Sequence, residues 1–399
     1  MRFLRPLVPA VFAAVVAIGG AAAPPPPAAA SSSAAWTQFH YAPTLSGYNP
    51  LESKIRTSNV GRLALRWQTA LDDTSYGTPV VSGNRVFALG YYGNLYAMRR
   101  SDGHRLWTVR VGTWANSTPA LWKGLVIVPG TDAAGALMAA YDAASGKLRW
   151  RTRLGSSGWV SSATVYGDRV YVATATTVYA LSASSGHVRW KTVLSTAQYG
   201  PIDGPIAVSG GGELVVVATN DGHVYALAGN TGKVRWDVLA GGGIDHGGPA
   251  IYSGIVYVPE GRGGPEGGGF DICALQVSDG RILWRGYAGD DVHVTPAAGQ
   301  GRVFIGSIDE GLLALDSRTG KLLWTTPYEG EVWGSPVLAN GVLYAGTDAG
   351  LVAHSAATGA PLYSTQISQG YANMSSPAVV DGRVYTGSGE GTIMVFGLP

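Results

Sequence analysis

Hydrophobic residues along this chain fall into short runs separated by turn-forming residues, and the alternation recurs about every 40 residues. One unit consists of the runs 78–82, 85–89, 94–98 and 106–110, which we label a to d. Run a of the later units opens with a small residue, at Thr118, Ser162, Gly204, Gly248, Thr295, Ser335 and Ser376. Eight such units, the last of them lacking run d, predict an all-β fold, an eight-bladed β-propeller of four-stranded antiparallel blades.

An eleven-residue phrase marks the passage from run c to run d in seven of the units. The copy at 140–150 reads Ala-Tyr-Asp-Ala-Ala-Ser-Gly-Lys-Leu-Arg-Trp. Glycine at the seventh place allows the positive φ of a tight turn, and we predict that the closing aromatic residue fills the wedge between neighbouring blades. These structural aromatic residues are Trp107, Trp150, Trp190, Trp236, Trp284, Trp324 and Tyr363, with Trp67 in the matching place before the first complete unit.

The two ends of the repeat array complement each other. The last unit stops after its third run, at 393–396, whereas the run 63–67 precedes the first complete unit. We therefore predict that an N-terminal strand completes the last blade and closes the ring, which removes open sheet edges.

The N-terminal residues have the layout of a secretory signal peptide. Arg2 and Arg5 precede the apolar stretch 7–23, and small residues follow up to Ala30. A transmembrane helix is the alternative interpretation, although the stretch contains Pro9 and is barely long enough to span. We divide the chain into a signal peptide at 1–30, a lead segment at 31–58 and a propeller at 59–399. The predicted location is secreted, extracellular or periplasmic, without a membrane anchor.

Net charge narrows the classes of possible partner, and cysteine content bears on thiol chemistry. Removal of Arg2 and Arg5 from 28 basic residues leaves 26, against 26 acidic residues. A net charge near zero argues against nucleic acid or an anionic membrane surface as partner. The single cysteine, Cys273, lies in run c of the fifth unit, where we expect a buried small side chain rather than a reactive thiol.

The repeated phrase carries a family resemblance. Its copy at 314–324, Ala-Leu-Asp-Ser-Arg-Thr-Gly-Lys-Leu-Leu-Trp, resembles the tryptophan-docking motif of pyrroloquinoline quinone (PQQ) repeat proteins. The lead residues 38–50 and 58–61 resemble the entry to the propeller in exported bacterial members. The superfamily includes PQQ-dependent alcohol and glucose dehydrogenases, a propeller lipoprotein of the outer-membrane β-barrel assembly machinery, and exported proteins without known activity.

The resemblance makes a PQQ-dependent oxidoreductase one hypothesis, with PQQ and calcium as its cofactors. The quinoprotein dehydrogenases resemble one another in a pair of adjacent cysteines and in a calcium site built from Glu, Asn and a catalytic Asp. This chain has only Cys273, so the cysteine pair cannot form, and the chain is shorter than those enzymes. Some PQQ enzymes on other propellers lack the pair, so the hypothesis stays open. No catalytic residue can be assigned from the sequence.

A binding site is expected where the d-to-a loops and the b-to-c loops converge at one mouth of the propeller axis. The candidate ligand-binding residues lie in the d-to-a loops: Tyr76, Trp114, Trp159, Tyr199, Asp203, Asp245, His246, Asp291, His293, Trp333 and Tyr371. The b-to-c loops add the carboxylates Asp221, Asp309, Glu310, Asp348 and Glu390. An acidic and aromatic mouth suits a cation, a sugar or an exposed peptide.

Two other features of the loops predict no further chemistry. The pairs Asp245–His246 and Asp291–His293 lack the spacing of a metal site, so no metal is predicted. The glycine-rich insertion 260–270 lacks the Lys-Ser/Thr ending of a phosphate loop and is interpreted as a flap over the mouth.

The sequence thus favours an exported, non-catalytic propeller that serves as a binding or protein-interaction scaffold in the cell envelope or extracellular space. Its expected partner is a protein or glycan of that compartment, and the expected state is a monomer. The alternative is a PQQ-dependent oxidoreductase with its site at the mouth.

Overall fold

A computed structural model describes residues 35–115, 117–155, 159–194, 202, 204–241, 247–260, 272–288, 292–326, 331–348, 350–366 and 375–399. These residues form eight antiparallel sheets. The eight-bladed, all-β architecture is therefore as predicted. We number the blades by the order of their strand a along the chain.

The first four blades each contain strands a to d in sequence order. Blade 1 is built from Val80–Ser82, Arg85–Leu89, Asn94–Arg99 and Arg105–Arg110. Blade 2 is built from Ala120–Trp122, Leu125–Asp132, Gly135–Asp142 and Leu148–Gly155. Blade 3 is built from Thr164–Tyr166, Arg169–Thr174, Thr177–Ser182 and Val188–Val193. Blade 4 is built from Ala207–Val208, Leu214–Ala218, His223–Ala228 and Val234–Leu239.

The remaining blades follow the same order, except at the ring closure. Blade 5 is built from Ala250–Tyr252, Ile255–Pro259, Ile272–Gln276 and Ile282–Gly286. Blade 6 is built from Ala297–Gly299, Arg302–Ser307, Gly311–Asp316 and Leu322–Thr325. Blade 7 is built from Val337–Ala339, Val342–Thr347, Gly350–Ser355 and Pro361–Gln366. Blade 8 is built from Ala378–Val380, Arg383–Gly387, Thr392–Gly397 and, as strand d, Ala64–Ala70.

The ring closes as the sequence predicted. Ala64–Ala70 pairs antiparallel with Thr392–Gly397, so both ends of the propeller lie in blade 8. A short 3₁₀ helix, Val60–Arg62, leads into this strand. One difference from the prediction concerns blade 7, where the lead segment adds Tyr48–Asn49 as a fifth, parallel strand.

The repeated phrase forms the contact between successive blades. Trp150 of blade 2 lies against the turn between strands c and d of blade 3, where a Cβ on Gly186 would be 2.4 Å from the indole Cε3. The Trp150 Nε1–H donates to the Ala183 carbonyl of that turn at 3.0 Å. Glycines of the next blade lie in the same way on Trp67, Trp107, Trp190, Trp236, Trp284 and Trp324. Tyr363 instead meets Phe396 of blade 8 edge to face, with ring centroids 6.5 Å apart.

The first residue of the phrase makes room for the last. Ala140 is the cross-strand partner of Trp150, and a register shift in strand d, between Leu148 and Trp150, immediately precedes this pair. The same pairing joins Ala180 to Trp190 and Ala314 to Trp324. Because a small residue opposes the indole, the large ring can extend across the wedge to the next blade.

The turns between strands c and d are also fixed to their own blades. In blade 3 the Ala183 N–H donates to the Asp168 carbonyl in the turn between strands a and b, at 2.8 Å. Equivalent bonds run from Ala143 to Gly124 at 2.9 Å and from Ser317 to Gly301 at 3.1 Å. Both kinds of turn therefore lie on one side of the propeller, which we call the lower face, and the mouth lies on the opposite side.

The lead segment crosses the axis at the lower face and contacts every blade. Its backbone pairs with Val81 in blade 1, and its carbonyls then accept the N–H groups of Leu121, Val208, Ile251, Ala298 and Leu338 at 2.7–2.8 Å. The Gln38 Oε1 accepts the Val165 N–H in blade 3, and the Asn49 Nδ2 donates to the Val379 carbonyl in blade 8, both at 2.8 Å. Residues 36–49 thus close the lower end of the axial channel.

Cys273 is buried, and burial raises the pKa of its thiol well above the usual range, so the thiol stays protonated. The described part of the chain contains no helix that is long and apolar enough to cross a membrane.

We predict that Gly186→Ala destabilises the protein far more than Gly167→Ala. Both glycines have positive φ, at +71° and +62°, so each alanine costs about 1 kcal/mol of backbone strain. A Cβ at 186 also overlaps Trp150, which adds about 1–3 kcal/mol, whereas a Cβ at 167 meets nothing within 4 Å. Urea unfolding followed by tryptophan fluorescence measures the difference. Equal midpoints for the two variants would contradict the proposed contact between blades.

Candidate functional site

The mouth opens into a cavity of about 230 Å³ on the propeller axis. Four of the predicted ligand-binding residues line it together: Tyr76, Trp159, His293 and Trp333. Trp114 joins them from behind, with its ring centroid 4.8 Å from that of Trp159. The other six predicted residues lie outside the described residues: Tyr199, Asp203, Asp245, His246, Asp291 and Tyr371.

The floor of the cavity is Phe39 of the lead segment. Its ring stacks on the buried His40 imidazole at 4.6 Å between centroids. His40 Nδ1 lies 2.9 Å from the Leu45 carbonyl, and burial lowers the pKa of His40 to about 4, so the ring is neutral at pH 7. A neutral ring allows Nδ1–H to donate to that carbonyl.

The backbone at the floor has an unusual conformation. His40, Tyr41 and Leu45 all have positive φ, at 55°, 73° and 51°, which costs free energy for residues other than glycine. Hydrogen bonds to the innermost strands hold this conformation in place, as described above for residues 36–49. The floor is therefore a fixed part of the propeller.

A girdle of hydroxyl groups forms the wall above the floor. Thr78 N–H donates to Thr118 Oγ1, and Thr118 N–H donates to Ser162 Oγ, each at 3.0 Å. On the other side of the axis Thr295 N–H donates to Ser335 Oγ, and Ser335 N–H to Ser376 Oγ, at 3.0 and 2.9 Å. Each of these hydroxyls accepts a bond from the preceding blade, so its own hydrogen can point to a bound group.

An aromatic wall rises from the girdle along blades 1 to 3. Tyr91, in the b-to-c loop of blade 1, packs edge to face on Tyr76 at 5.5 Å and on Trp114 at 5.6 Å. Its backbone bonds to the flanking d-to-a loops, with N–H donating to Thr74 at 2.7 Å and the carbonyl accepting from Ala115 at 2.8 Å. This arrangement presents several ring faces and edges to the cavity on a fixed backbone.

The opposite side of the mouth combines aromatic rings with carboxylates. His293 stacks on Trp333 with centroids 5.7 Å apart, and the Trp333 Nε1–H donates to Glu331 Oε2 at 2.7 Å. Glu310 lies in the next b-to-c loop, where its Oε1 accepts a long 3.4 Å bond from the Tyr287 hydroxyl. The described side of the mouth at blades 5 to 7 is thus aromatic with flanking carboxylates.

Sequence reasoning missed three parts of this site. The hydroxyl girdle was visible as the recurrent Ser or Thr that opens strand a, although nothing in that pattern indicated that it faces the axis. Tyr91 lies in a b-to-c loop, whereas all the aromatic residues predicted for the site lie in d-to-a loops. Phe39 had no usable signal, since the lead segment has no periodicity that could place it on the axis.

The cavity fits PQQ poorly. PQQ carries three carboxylates, and the described residues that line the cavity include neither lysine nor arginine. Among the described residues, no cluster of three or more His, Cys, Asp or Glu side chains could hold a metal ion. The residues around this cavity suit a neutral or cationic group, because hydroxyls and ring faces attract both and carboxylates attract the latter.

Fold and site together define a β-propeller with a closed lower end and an aromatic mouth. A family model described as "Outer membrane protein assembly factor BamB" matches residues 58–199, 131–241 and 238–398. The chain therefore belongs to this family of PQQ-like repeat propellers.

Individual relatives span several activities. Outer membrane protein assembly factor BamB of Yersinia pestis is 26% identical over 72% of this chain and 76% of its own length. Tetrathionate hydrolase of Acidithiobacillus ferrooxidans is also 26% identical, over 74% of this chain, but the match spans only 53% of that enzyme. The structure of quinohemoprotein alcohol dehydrogenase ADHIIG from Pseudomonas putida HK5 superposes with a TM-score of 0.74 at 15% identity, covering 92% of this chain and 80% of the enzyme. The last likeness shows the fold alone.

We predict that His40 makes the protein less stable below neutral pH. With a folded pKa of about 4 against 6.5 when unfolded, the unfolded chain binds a proton first as the pH falls. The stability present above pH 6.5 therefore decreases towards pH 4, by up to about 3 kcal/mol. The measurement is urea unfolding of the wild type and of His40→Asn at pH 7 and pH 4.5, since asparagine tolerates positive φ.

The matched control is His104→Gln, at an exposed histidine in the turn between strands c and d of blade 1. It should retain the full loss of stability on acidification, whereas His40→Asn should lose less. Identical pH dependence in all three proteins would rule out His40 as the titrating group.

Proposed function

We propose that this protein is an exported, non-catalytic interaction propeller whose mouth binds a cationic or neutral segment of a partner protein. The observation that carries the proposal is the composition of the axial cavity. Its aromatic wall and hydroxyl girdle offer contacts to a side chain, but the described lining contains neither lysine nor arginine to neutralise the carboxylates of an anionic cofactor.

The depth of the site favours a protruding group. The cavity of about 230 Å³ has room for one large side chain, and the lead segment closes its lower end. A guanidinium or ammonium group entering from the mouth would pass the Trp333–Glu331 pair and meet ring faces at Trp159 and Tyr76. An extended segment carrying such a side chain is therefore the ligand that we propose.

The relatives support the same function. The names of the BamB proteins describe factors for the assembly of outer membrane proteins, which is an interaction role rather than a chemical one. We further propose export through the apolar N-terminal segment and a monomeric state. The partner would then be a protein of the cell envelope or the extracellular space.

The first test is binding of two matched ten-residue peptides, one of alternating Arg and Tyr and one of alternating Glu and Tyr. We expect the Arg peptide to quench tryptophan fluorescence with a micromolar Kd and the Glu peptide to have no effect. Trp159→Ala should weaken binding at least tenfold, because stacking with the cation is lost. Trp122→Ala, which removes an indole on the lower face, should leave the affinity unchanged.

The competing quinoprotein hypothesis is tested by titration with PQQ, with and without calcium. A saturable increase in Tm at micromolar PQQ would contradict our proposal, because ligand binding to the native state must raise stability. If neutral oligosaccharides bind in a way that depends on Trp159 and neither peptide binds, the partner at the mouth is a glycan and not a protein.

A further inference from the structure

The structure separates the charges of this protein onto two opposite sides. The described loops around the mouth contain many carboxylates, such as Asp72, Glu331 and Glu390, and neither lysine nor arginine. The lower face carries a series of lysines and arginines, such as Lys123 in the a-to-b turn of blade 2 and Arg169 and Arg302 at the start of strand b. It carries fewer carboxylates, such as Asp168 and Asp381. The argument from net charge against an anionic partner used the sum over both sides, and that sum hides the positive charge of the lower face.

Part of the lower-face charge is free. Lys54 forms an ion pair with Asp381, and Arg149 forms one with Asp142. Lys147, Lys233 and Lys321, each directly after the glycine of the repeated phrase, are exposed. None of these three makes an ion pair with a carboxylate of the described chain. They are available for an external anion.

Exposed aliphatic side chains directly follow these lysines. Leu148, Val234 and Leu322 are 52%, 47% and 46% exposed, although each lies at the start of a strand. The arrangement recurs in blades 2, 4 and 6, so cations and aliphatic groups alternate around the propeller. Cations next to exposed apolar side chains are typical of surfaces that contact the interface of an anionic membrane.

The N-terminal segment reaches the propeller on this same side. Trp36 pairs with Val81 at the lower face, and the apolar stretch 7–23 lies a short linker before it in the sequence. Fully extended, residues 24–35 span roughly 40 Å. If the apolar stretch 7–23 is inserted in a membrane, before or without cleavage, that membrane would therefore lie close to the lower face and away from the mouth.

We propose that the lower face binds the surface of an anionic lipid membrane, through Lys147, Lys233, Lys321 and the aliphatic residues that follow them. This peripheral contact is independent of the ligand at the mouth. It would orient the propeller with the mouth pointing away from the bilayer, where a partner can reach it.

The test is flotation of the chain beginning at residue 31 with lipid vesicles in low salt. This chain keeps every described contact, because the described residues begin at 35. We expect binding to vesicles that contain 30% phosphatidylglycerol in phosphatidylcholine, release at 0.5 M salt, and no binding to pure phosphatidylcholine. The triple variant Lys147→Gln, Lys233→Gln and Lys321→Gln should reduce partitioning about 100-fold, since each basic side chain near an anionic leaflet contributes about fivefold.

A matched control carries the same change in net charge on the mouth side: Thr113→Glu, Ala133→Glu and Val193→Glu, all at exposed positions. It should partition within about threefold of the wild type. Equal losses in the two triple variants, equal binding to neutral vesicles, or no binding at all would overturn the proposal. So would equally tight binding to duplex DNA, or salt-sensitive self-association that both variants abolish, because each points to another occupant of this face.

Discussion

The contact between the tryptophan of one blade and the glycine turn of the next, made by seven of the eight blades, is the constraint on which the rest of the structure depends. The indole at Trp150, for example, packs on Gly186 and donates a hydrogen bond to Ala183, and Ala183 in turn bonds to the turn between strands a and b of its own blade. One turn therefore fixes the relation between blades and the internal geometry of a blade together. Since a protein with a single buried cysteine has no intrachain disulfide, this packing must hold the ring.

The site is a consequence of that rigidity at the axis. Because the innermost strands are held at fixed positions, the N–H group of one blade reaches the hydroxyl of the next, as from Thr295 to Ser335. The same strands supply donors to the lead segment on the lower side. The axial channel is thereby converted into a cup with one opening, and its aromatic wall stands on backbone that cannot easily rearrange. Such preorganisation lowers the entropic cost of binding.

Much of the fold could be read from the sequence because it is written in repeats. The phrase with Gly186 and Trp190, and its copies, located the turns, the wedges and the closing strand Ala64–Ala70. The mouth residues Tyr76, Trp159, His293 and Trp333 followed from the topology, since d-to-a loops must meet at one end of the axis. Because the unit is repeated, each of its positions can be compared across several copies within one sequence.

What could not be read was the part of the chain that does not repeat. The path of residues 36–49 depends on left-handed backbone at His40, Tyr41 and Leu45, and tyrosine and leucine have no local preference for that conformation. Its bonds reach strands hundreds of residues away, as from Asn49 to Val379. Phe39 as a cavity floor, and the fifth strand of blade 7, result from these long-range contacts alone.

The lead segment and strand Ala64–Ala70 also impose an order on the folding of the newly synthesised chain. They are synthesised before the blades, yet their partners are spread over all eight blades and end with Thr392–Gly397. Strand Ala64–Ala70 therefore has no pairing partner until Thr392–Gly397 has been synthesised. Contacts of such sequence separation form slowly, so the nascent ring has an open edge for much of its assembly. A protein built in this way closes its ring only after Thr392–Gly397 has been synthesised.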